Sequence, residues 1–77
     1  MLPHSEYQDR YQQFLARLRE ARRLARLTQA EVALRLGKPQ SYVSKCESGE
    51  RRVDVVELLA FSELYAVPIE FFTPRGI

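Results

Sequence analysis

The sequence has little cysteine and no long apolar segment. Its only cysteine, Cys46, excludes an internal disulfide framework and is typical of a reducing compartment. We expect Cys46 to be a small buried apolar residue, with a redox sensor as the less favoured alternative. No apolar run approaches the roughly 18 residues of a membrane span, and no basic-then-apolar leader opens the chain. These absences predict a soluble, cytoplasmic protein without a membrane partner.

Residues that carry catalysis or hold metals are also scarce. The one histidine, His4, has no cysteine or histidine neighbour at the spacing of metal ligands, and no pair of carboxylates converges on a site. A chain this short buries only about 60 to 65 % of its unfolded surface, which allows one domain and leaves no room for a ligand pocket. We therefore expect no enzyme and no cofactor, metal or small-molecule site.

The positive charge is concentrated in the middle of the chain. Residues 17–52 contain ten basic and four acidic residues, whereas residues 53–77 contain four acids and only Arg75 as a base. A basic block of this kind is typical of a domain that binds a polyanion. Solvated helix faces give the same pattern, so charge alone leaves both interpretations open.

The hydrophobic pattern predicts helices throughout. Apolar residues recur at steps of three and four, and neither a strand pattern nor a repeat is present. The predicted helices cover about 11–26, 29–36, 39–47, 55–65 and 69–72. They form an all-α bundle of five short helices in one domain over residues 11–73. Residues 1–10 are expected to form a loose arm, and residues 74–77 a tail.

Two capping boxes and a glycine set the predicted helix boundaries. Thr28 followed by Glu31, and Asp54 followed by Glu57, match the pattern in which each side chain covers the other residue's backbone amide. Gly37 stands where a left-handed residue ends a helix. The helices on either side of Gly37 are therefore joined by a tight turn, which is the spacing of a helix-turn-helix.

The third predicted helix is unusually polar. Only Val43 and Cys46, with a share of Tyr42, can face a core, and they form one thin apolar seam. The remaining positions carry short polar or cationic side chains: Gln40, Ser41, Ser44 and Lys45. Such side chains suit the major groove of DNA, where glutamine bonds adenine, serine bonds several bases and lysine reaches guanine or phosphate. The helix is polar because its expected partner is polar.

Two runs of the sequence, T-Q-x-E-V-A-x-x-L-G and P-Q-S-Y-V-S-K-C-E-S-G, form a specific motif. They resemble the helix-turn-helix domain of the phage repressors, the Cro- and lambda-repressor-like class that is also called the xenobiotic-response-element class. The resemblance covers about residues 15–72, with the motif itself at about 28–47. It implies a protein that binds double-stranded DNA through the third helix.

The resemblance also implies roles for individual residues. Base contacts fall to Gln40, Ser41, Ser44 and Lys45. Phosphate contacts fall to Gln29, Lys38, Tyr42, Arg51 and Arg52. Tyr42 is ambiguous, because its ring can pack on the second helix while its hydroxyl reaches a phosphate. Arg22 and Glu47 match a salt bridge that ties the first helix to the end of the third.

Three residues depart from the family pattern. Pro39 stands where a serine or threonine usually caps the third helix, so a side-chain cap worth about 1 kcal/mol is missing. Cys46 replaces a larger apolar residue, and Ala66 replaces the glycine that usually follows the fourth helix. No base-reading position is affected.

The C-terminal end is richer in apolar residues than a short helix can bury. Ile69 and Phe72 are expected to enter the core, which leaves Phe71 with Leu64 or Ile77 as an exposed patch. The resemblance implies two-fold dimers through this end, and the expected interface is Leu64, Phe71 and Ile77. The alternative is that Phe71 folds back over the first helix.

The expected function is that of a dimeric, sequence-specific transcriptional regulator, either a repressor or an autoregulator. A phage, toxin–antitoxin, restriction–modification or free-standing setting all fit. The alternative is a protein-interaction module, or an antitoxin-like chain with a toxin as partner, that works through the apolar C-terminal patch. The recognition helix discriminates between them, because a module released from DNA has no need of Gln29, Gln40 and Lys45 together.

Overall fold

Four α-helices and a terminal 3-10 helix make up the fold. The computed structural model describes residues 4–73, and no strand occurs among them. The elements are α1 (His4–Leu24), α2 (Gln29–Leu36), α3 (Gln40–Ser48), α4 (Val55–Tyr65) and the 3-10 helix η1 (Ile69–Phe72). The prediction of an all-α helix-turn-helix fold is confirmed, although the last of the five helices is a 3-10 turn.

Capping interactions start and end α2 as the sequence predicts. The Glu31 backbone amide donates to Thr28 Oγ1 at 3.1 Å, and the Thr28 amide donates to Glu31 Oε1 at 2.8 Å. The first hydrogen bond satisfies an otherwise unpaired donor of the first helical turn, and the second satisfies the amide of the capping residue itself. Gly37 ends α2 in the left-handed conformation with φ 68. The turn into α3 is therefore fixed by local chemistry.

The first helix differs from its prediction at both ends. α1 begins at His4, so residues 4–10 are helical rather than a loose arm, and it ends at Leu24 rather than at residue 26. The Arg52 guanidinium lies 5.2 Å from the ring centroid of Tyr7 and 4.4 Å from that of Tyr11, which holds the first turns of α1 against the α3–α4 loop. A search for apolar periodicity does not register such a contact between aromatic and cationic side chains.

The departures from the family pattern have visible consequences at the helix ends. Pro39 caps α3 without a side-chain hydrogen bond. Ala66 ends α4 in the left-handed conformation with φ 56, where glycine is usual because it has no Cβ. Cys46 is fully buried and belongs to the core, so the smaller side chain is accommodated there.

The core lies where α1, α2, α3 and α4 meet and is closed by η1. Its buried apolar residues are Leu15, Leu18, Ala21, Val32, Ala33, Val43, Cys46, Phe61, Tyr65 and Phe72. Leu24 and Val55 were expected to face inward, but they are 60 % and 70 % exposed. Leu24 is the last residue of α1 and Val55 is the first of α4, so both lie beyond the packed part of their helices. Ile69 is half-buried rather than a core residue.

A close approach of α1 fixes the end of α3. Gly49 ends α3 with φ 84, and a Cβ added to it would lie 2.8 Å from Leu15 Cδ1. Glycine is therefore required here both by the left-handed backbone and by the packing of a core leucine. This contact determines where the chain leaves α3 and enters the loop that carries Arg51 and Arg52.

Within residues 4–73, no helix is long and apolar enough to cross a membrane. The same residues contain no group of three or more histidine, cysteine or acidic side chains that could hold a metal ion.

Candidate nucleic-acid interface

The helix α3 has two chemically distinct sides. Val43 and Cys46 are fully buried against the other helices. The four side chains predicted to read bases are all exposed: Gln40, Ser41, Ser44 and Lys45. At about 100° of rotation per residue, they share one arc of the helix, opposite the buried seam. The structure therefore brings the four predicted base contacts together on one accessible surface.

A buried carboxylate anchors the end of α3 to α1. Glu47 is 3 % exposed, and its two oxygens accept from Arg22 Nε at 2.7 Å and Arg22 Nη2 at 3.1 Å. The third guanidinium nitrogen, Arg22 Nη1, donates to the Leu27 carbonyl at 3.1 Å. Such a two-pronged arrangement makes the pair directional as well as strong. The hydrogen bond from Glu47 raises the pKa of Arg22, so the guanidinium stays charged.

Two further donors complete the surroundings of Glu47. Gln29 Nε2 donates to Glu47 Oε1 at 3.0 Å, and Arg19 Nη1 donates to the Glu47 backbone carbonyl at 2.8 Å. A buried carboxylate is tolerated only when its oxygens are paired in this way. Gln29, which was predicted to bind a phosphate, therefore also links the first turn of α2 to the end of α3.

A second network joins α3 to α4 through Glu57. Its Oε2 accepts from Arg51 Nη2 at 2.7 Å and from the Tyr42 hydroxyl at 3.0 Å. Its Oε1 accepts from Arg51 Nη1 and from the Asp54 amide, both at 2.9 Å. We refer to Tyr42, Arg51 and Glu57 as the Glu57 cluster. Because Glu57 binds both, Arg51 and the Tyr42 hydroxyl have internal partners in the free protein.

The Glu57 cluster affects the titration of its members. The hydrogen bonds from Arg51 lower the pKa of Glu57 to about 2. Burial and the neighbouring Glu57 raise the pKa of Tyr42. Burial likewise raises the pKa of the Cys46 thiol, which disfavours the reactive thiolate and fits an apolar role for this residue.

The remaining predicted phosphate contacts lie at the edges of α3. Lys38 is exposed, and its Nζ lies 5.2 Å from the centroid of the Tyr42 ring. Arg52 is exposed too, and its Nη1 donates to the Tyr7 hydroxyl at 3.2 Å. Lys45 Nζ is 4.0 Å from Glu50 Oε2, a distance at the limit of an ion pair. These three cations keep water-exposed surface beside the predicted base contacts.

The predicted dimer patch is partly covered. Leu64 and Phe71 are half-buried against the core, and the Arg17 guanidinium of α1 lies 5.2 Å from the Phe71 ring centroid. This placement matches the alternative in which Phe71 folds back over α1. Ile77 lies outside the described residues. The exposed apolar side chains of this half of the domain are instead on α4: Val55, Val56 and Leu59.

Comparison with known proteins identifies the fold's relatives. A family model described as helix-turn-helix matches residues 18–72. The solved structure of an XRE-family like protein from Pseudomonas syringae pv. tomato is 45% identical and superposes with a TM-score of 0.80, covering 86% of this chain and 80% of that chain. The chain belongs to the XRE-type helix-turn-helix family. This is a family of DNA-binding transcription regulators. None of the curated proteins compared with the chain matches significantly.

The family match starts within α1 rather than at its beginning. Residues 4–17 of the helix precede the matched region, and they include Tyr7 and Tyr11, which contact Arg52. The XRE-type core is thus extended here by helical turns that pack on the loop after α3.

Sequence reasoning missed two sets of contacts around the interface. Glu57 was recognised only as a capping residue, although it also binds Arg51 and Tyr42. The signal was available, since an arginine six residues before an acidic cap can reach across a short loop. Arg52 with Tyr7 is harder to find, because these residues are far apart in sequence and only the fold brings them together.

Proposed function

We propose that the protein is a dimeric repressor or autoregulator that reads the major groove of double-stranded DNA with α3. The observation that carries this proposal is the division of α3 into a buried apolar seam and an exposed polar arc. A polar arc on a helix seated this firmly is suited to hydrogen bonding with base edges. Regulation follows by blocking a promoter or by contact with RNA polymerase from a nearby site.

The polar arc has the donors and acceptors for base recognition. Gln40 at the start of α3 can bond both the acceptor and the donor of an adenine edge, and Lys45 can reach guanine or a phosphate. Ser41 and Ser44 can bond either kind of base edge. Exposed Lys38 and Arg52 supply positive charge beside them, which sets affinity and register rather than sequence.

Binding to DNA upstream of the protein's own gene tests the proposal directly. We expect fluorescence anisotropy to show binding that weakens with salt and that prefers this duplex to a scrambled duplex of equal length by about 10³-fold or more. Equal weak binding to both would remove autoregulation and place the operator elsewhere. Absence of binding to either duplex at low salt would reject the DNA-binding function and favour a protein partner, such as a toxin.

Replacing Gln40 tests whether α3 reads bases. Gln40→Ala should weaken binding to the specific duplex by about 1 to 3 kcal/mol and leave binding to the scrambled duplex nearly unchanged, because only the base contact is removed. Gln12→Ala is a matched control, since Gln12 is an exposed glutamine of α1 outside the family match. An equal loss on both duplexes would remove Gln40 from base reading.

The dimer is proposed to form through α4 beside Leu64. Val56, Leu59 and Glu63 recur at three- and four-residue steps, so they share one outward face of α4, and the first two are 75 % and 47 % exposed. A two-fold pair places two recognition helices about 34 Å apart, one turn of DNA. This spacing allows both α3 helices to enter the same side of the duplex.

A charge on this face should disrupt the dimer. Val56→Glu should shift the protein toward monomer in sedimentation equilibrium, because a buried unpaired carboxylate is costly at an interface. Leu34→Glu on α2 is the control, since Leu34 is also exposed but lies on another helix. If Val56→Glu keeps the mass of a dimer, the interface lies elsewhere.

A further inference from the structure

We propose that Glu57 is a positioning residue for DNA recognition: it holds Arg51 and Tyr42 on α4 and thereby fixes the rotation of α3 for base reading. The inference rests on the proposed function and assigns Glu57 a role beyond the capping of α4. It also changes the expectation for Arg51, which then acts mainly as an internal tie and not as a phosphate contact.

Glu57 is saturated by groups from three parts of the chain. Each carboxylate oxygen accepts two hydrogen bonds, which come from α3, the α3–α4 loop and the residue that caps α4. Arg51 Nη1 also donates to the Arg52 carbonyl at 2.9 Å, so the guanidinium ties the loop backbone as well. A carboxylate needed only for capping would have to bind only the Asp54 amide.

The cluster contacts α3 on one flank of its buried seam. At about 100° per residue, Tyr42 and Glu47 lie about 140° apart around α3, with Val43 and Cys46 between them. Glu47 is tied to α1 and Tyr42 is tied to α4 through Glu57. Rotation of α3 about its axis is therefore restrained from both flanks, and the polar arc points away from both ties.

Stacking adds to the restraint at Tyr42. The Arg51 guanidinium lies 4.8 Å and the Lys38 ammonium 5.2 Å from the centroid of the Tyr42 ring. Both distances are within the range of cation–π attraction. The ring thus joins the turn before α3 to the loop after it, while the hydroxyl sets the distance to α4.

The competing interpretation is that Glu57 masks a phosphate contact. A carboxylate that accepts two bonds from a guanidinium resembles a phosphate chemically, so DNA could displace Glu57 and take Arg51. The two interpretations predict opposite effects of removing the Glu57 charge. Loss of a positioning residue weakens specific binding, whereas loss of a mask strengthens binding to any duplex.

Glu57→Gln is the variant that separates them. Glutamine also satisfies a capping box, so the cap of α4 is retained while the charge is removed. We expect binding to the specific duplex to weaken about 3- to 30-fold, binding to the scrambled duplex to stay within about twofold, and the salt dependence to stay unchanged. Stronger binding to both duplexes, with a steeper salt dependence by about 0.9 per phosphate gained, would overturn the proposal.

Arg51→Lys and Tyr42→Phe provide independent tests. Lysine keeps the charge for a phosphate but loses the two-pronged bond to Glu57, and phenylalanine keeps the ring but loses the hydroxyl. We expect both variants to lose preference for the specific duplex, with Arg51→Lys showing the larger loss. Wild-type discrimination in Arg51→Lys would overturn the proposal, because a point charge would then be sufficient.

Thermal unfolding by circular dichroism, measured first, restricts the binding comparison to temperatures at which each variant is folded. A purely structural role would lower the melting temperature and leave the ratio of specific to scrambled binding unchanged, which would also overturn the proposal. Failure of the wild-type protein to distinguish the two duplexes would instead reject the proposed function itself. Discrimination by both wild-type protein and Glu57→Gln, to the same degree, would reject only the positioning role.

Discussion

Two arginine–carboxylate pairs border α3, and they differ mainly in burial. In the Arg22–Glu47 pair, the side chains are 17% and 3% exposed. In the Arg51–Glu57 pair, they are 41% and 19% exposed. The shortest contact is 2.7 Å in both, and in both the arginine binds the two carboxylate oxygens. Geometry alone therefore does not distinguish the contributions of the two pairs.

Burial determines which property of the protein each pair affects most. Around Glu47, water is excluded, so removal of one partner leaves the other charge or its donors unsatisfied in the core. Around Glu57, water reaches Arg51 and screens the attraction, so the pair contributes little to global stability. The buried pair is expected to affect whether the domain folds, and the exposed pair how α3 is oriented once it has folded.

The largest expected effect is the loss of stability in Glu47→Ala. We expect the free energy of unfolding to fall by about 3 to 5 kcal/mol, because Arg22 remains partly buried without its carboxylate and Gln29 loses its acceptor. Urea unfolding followed by circular dichroism measures this loss. For a domain of this size, the variant could be largely unfolded at room temperature, and that outcome would agree with the prediction.

The exposed pair supplies the matched control. Glu57→Ala removes both the bond to Arg51 and the capping interaction with Asp54, and we expect a loss of only about 1 to 2 kcal/mol. Equal losses in Glu47→Ala and Glu57→Ala would contradict the argument from burial. The difference between the two pairs would then lie elsewhere.

The sequence predicts those features whose chemistry is local. Thr28 with Glu31 and Asp54 with Glu57 lie three residues apart, so the caps of α2 and α4 can be identified from spacing alone. The polar character of α3 is visible in the same way. The pairing of Arg22 with Glu47 was implied by family resemblance, because no spacing rule connects residues so far apart in the chain.

Features that depend on the assembled fold could not be predicted in this way. The start of α1 depends on Tyr7 and Tyr11 meeting Arg52, and nothing near these residues in the sequence indicates the contact. Glu57 already had a local explanation as a cap, which concealed its second role. Likewise, Val55 matches the apolar pattern of α4 but lies at its exposed end.

Acid titration distinguishes the pairs by a smaller effect. The pKa of Glu57 is about 2 in the folded protein and 4.5 ordinarily, so its contribution to stability is fully present above about pH 4.5 and is lost as the pH falls toward 2. Because solvent screens this pair, we expect the loss to be about 1 kcal/mol or less. Urea unfolding of wild-type protein and Glu57→Gln at pH 6 and pH 3 measures it. The stability difference between the two proteins should shrink at the lower pH, since glutamine does not titrate. A difference that stays constant between the two pH values would mean that the Glu57 charge does not contribute to folding and that only its hydrogen-bonding geometry matters.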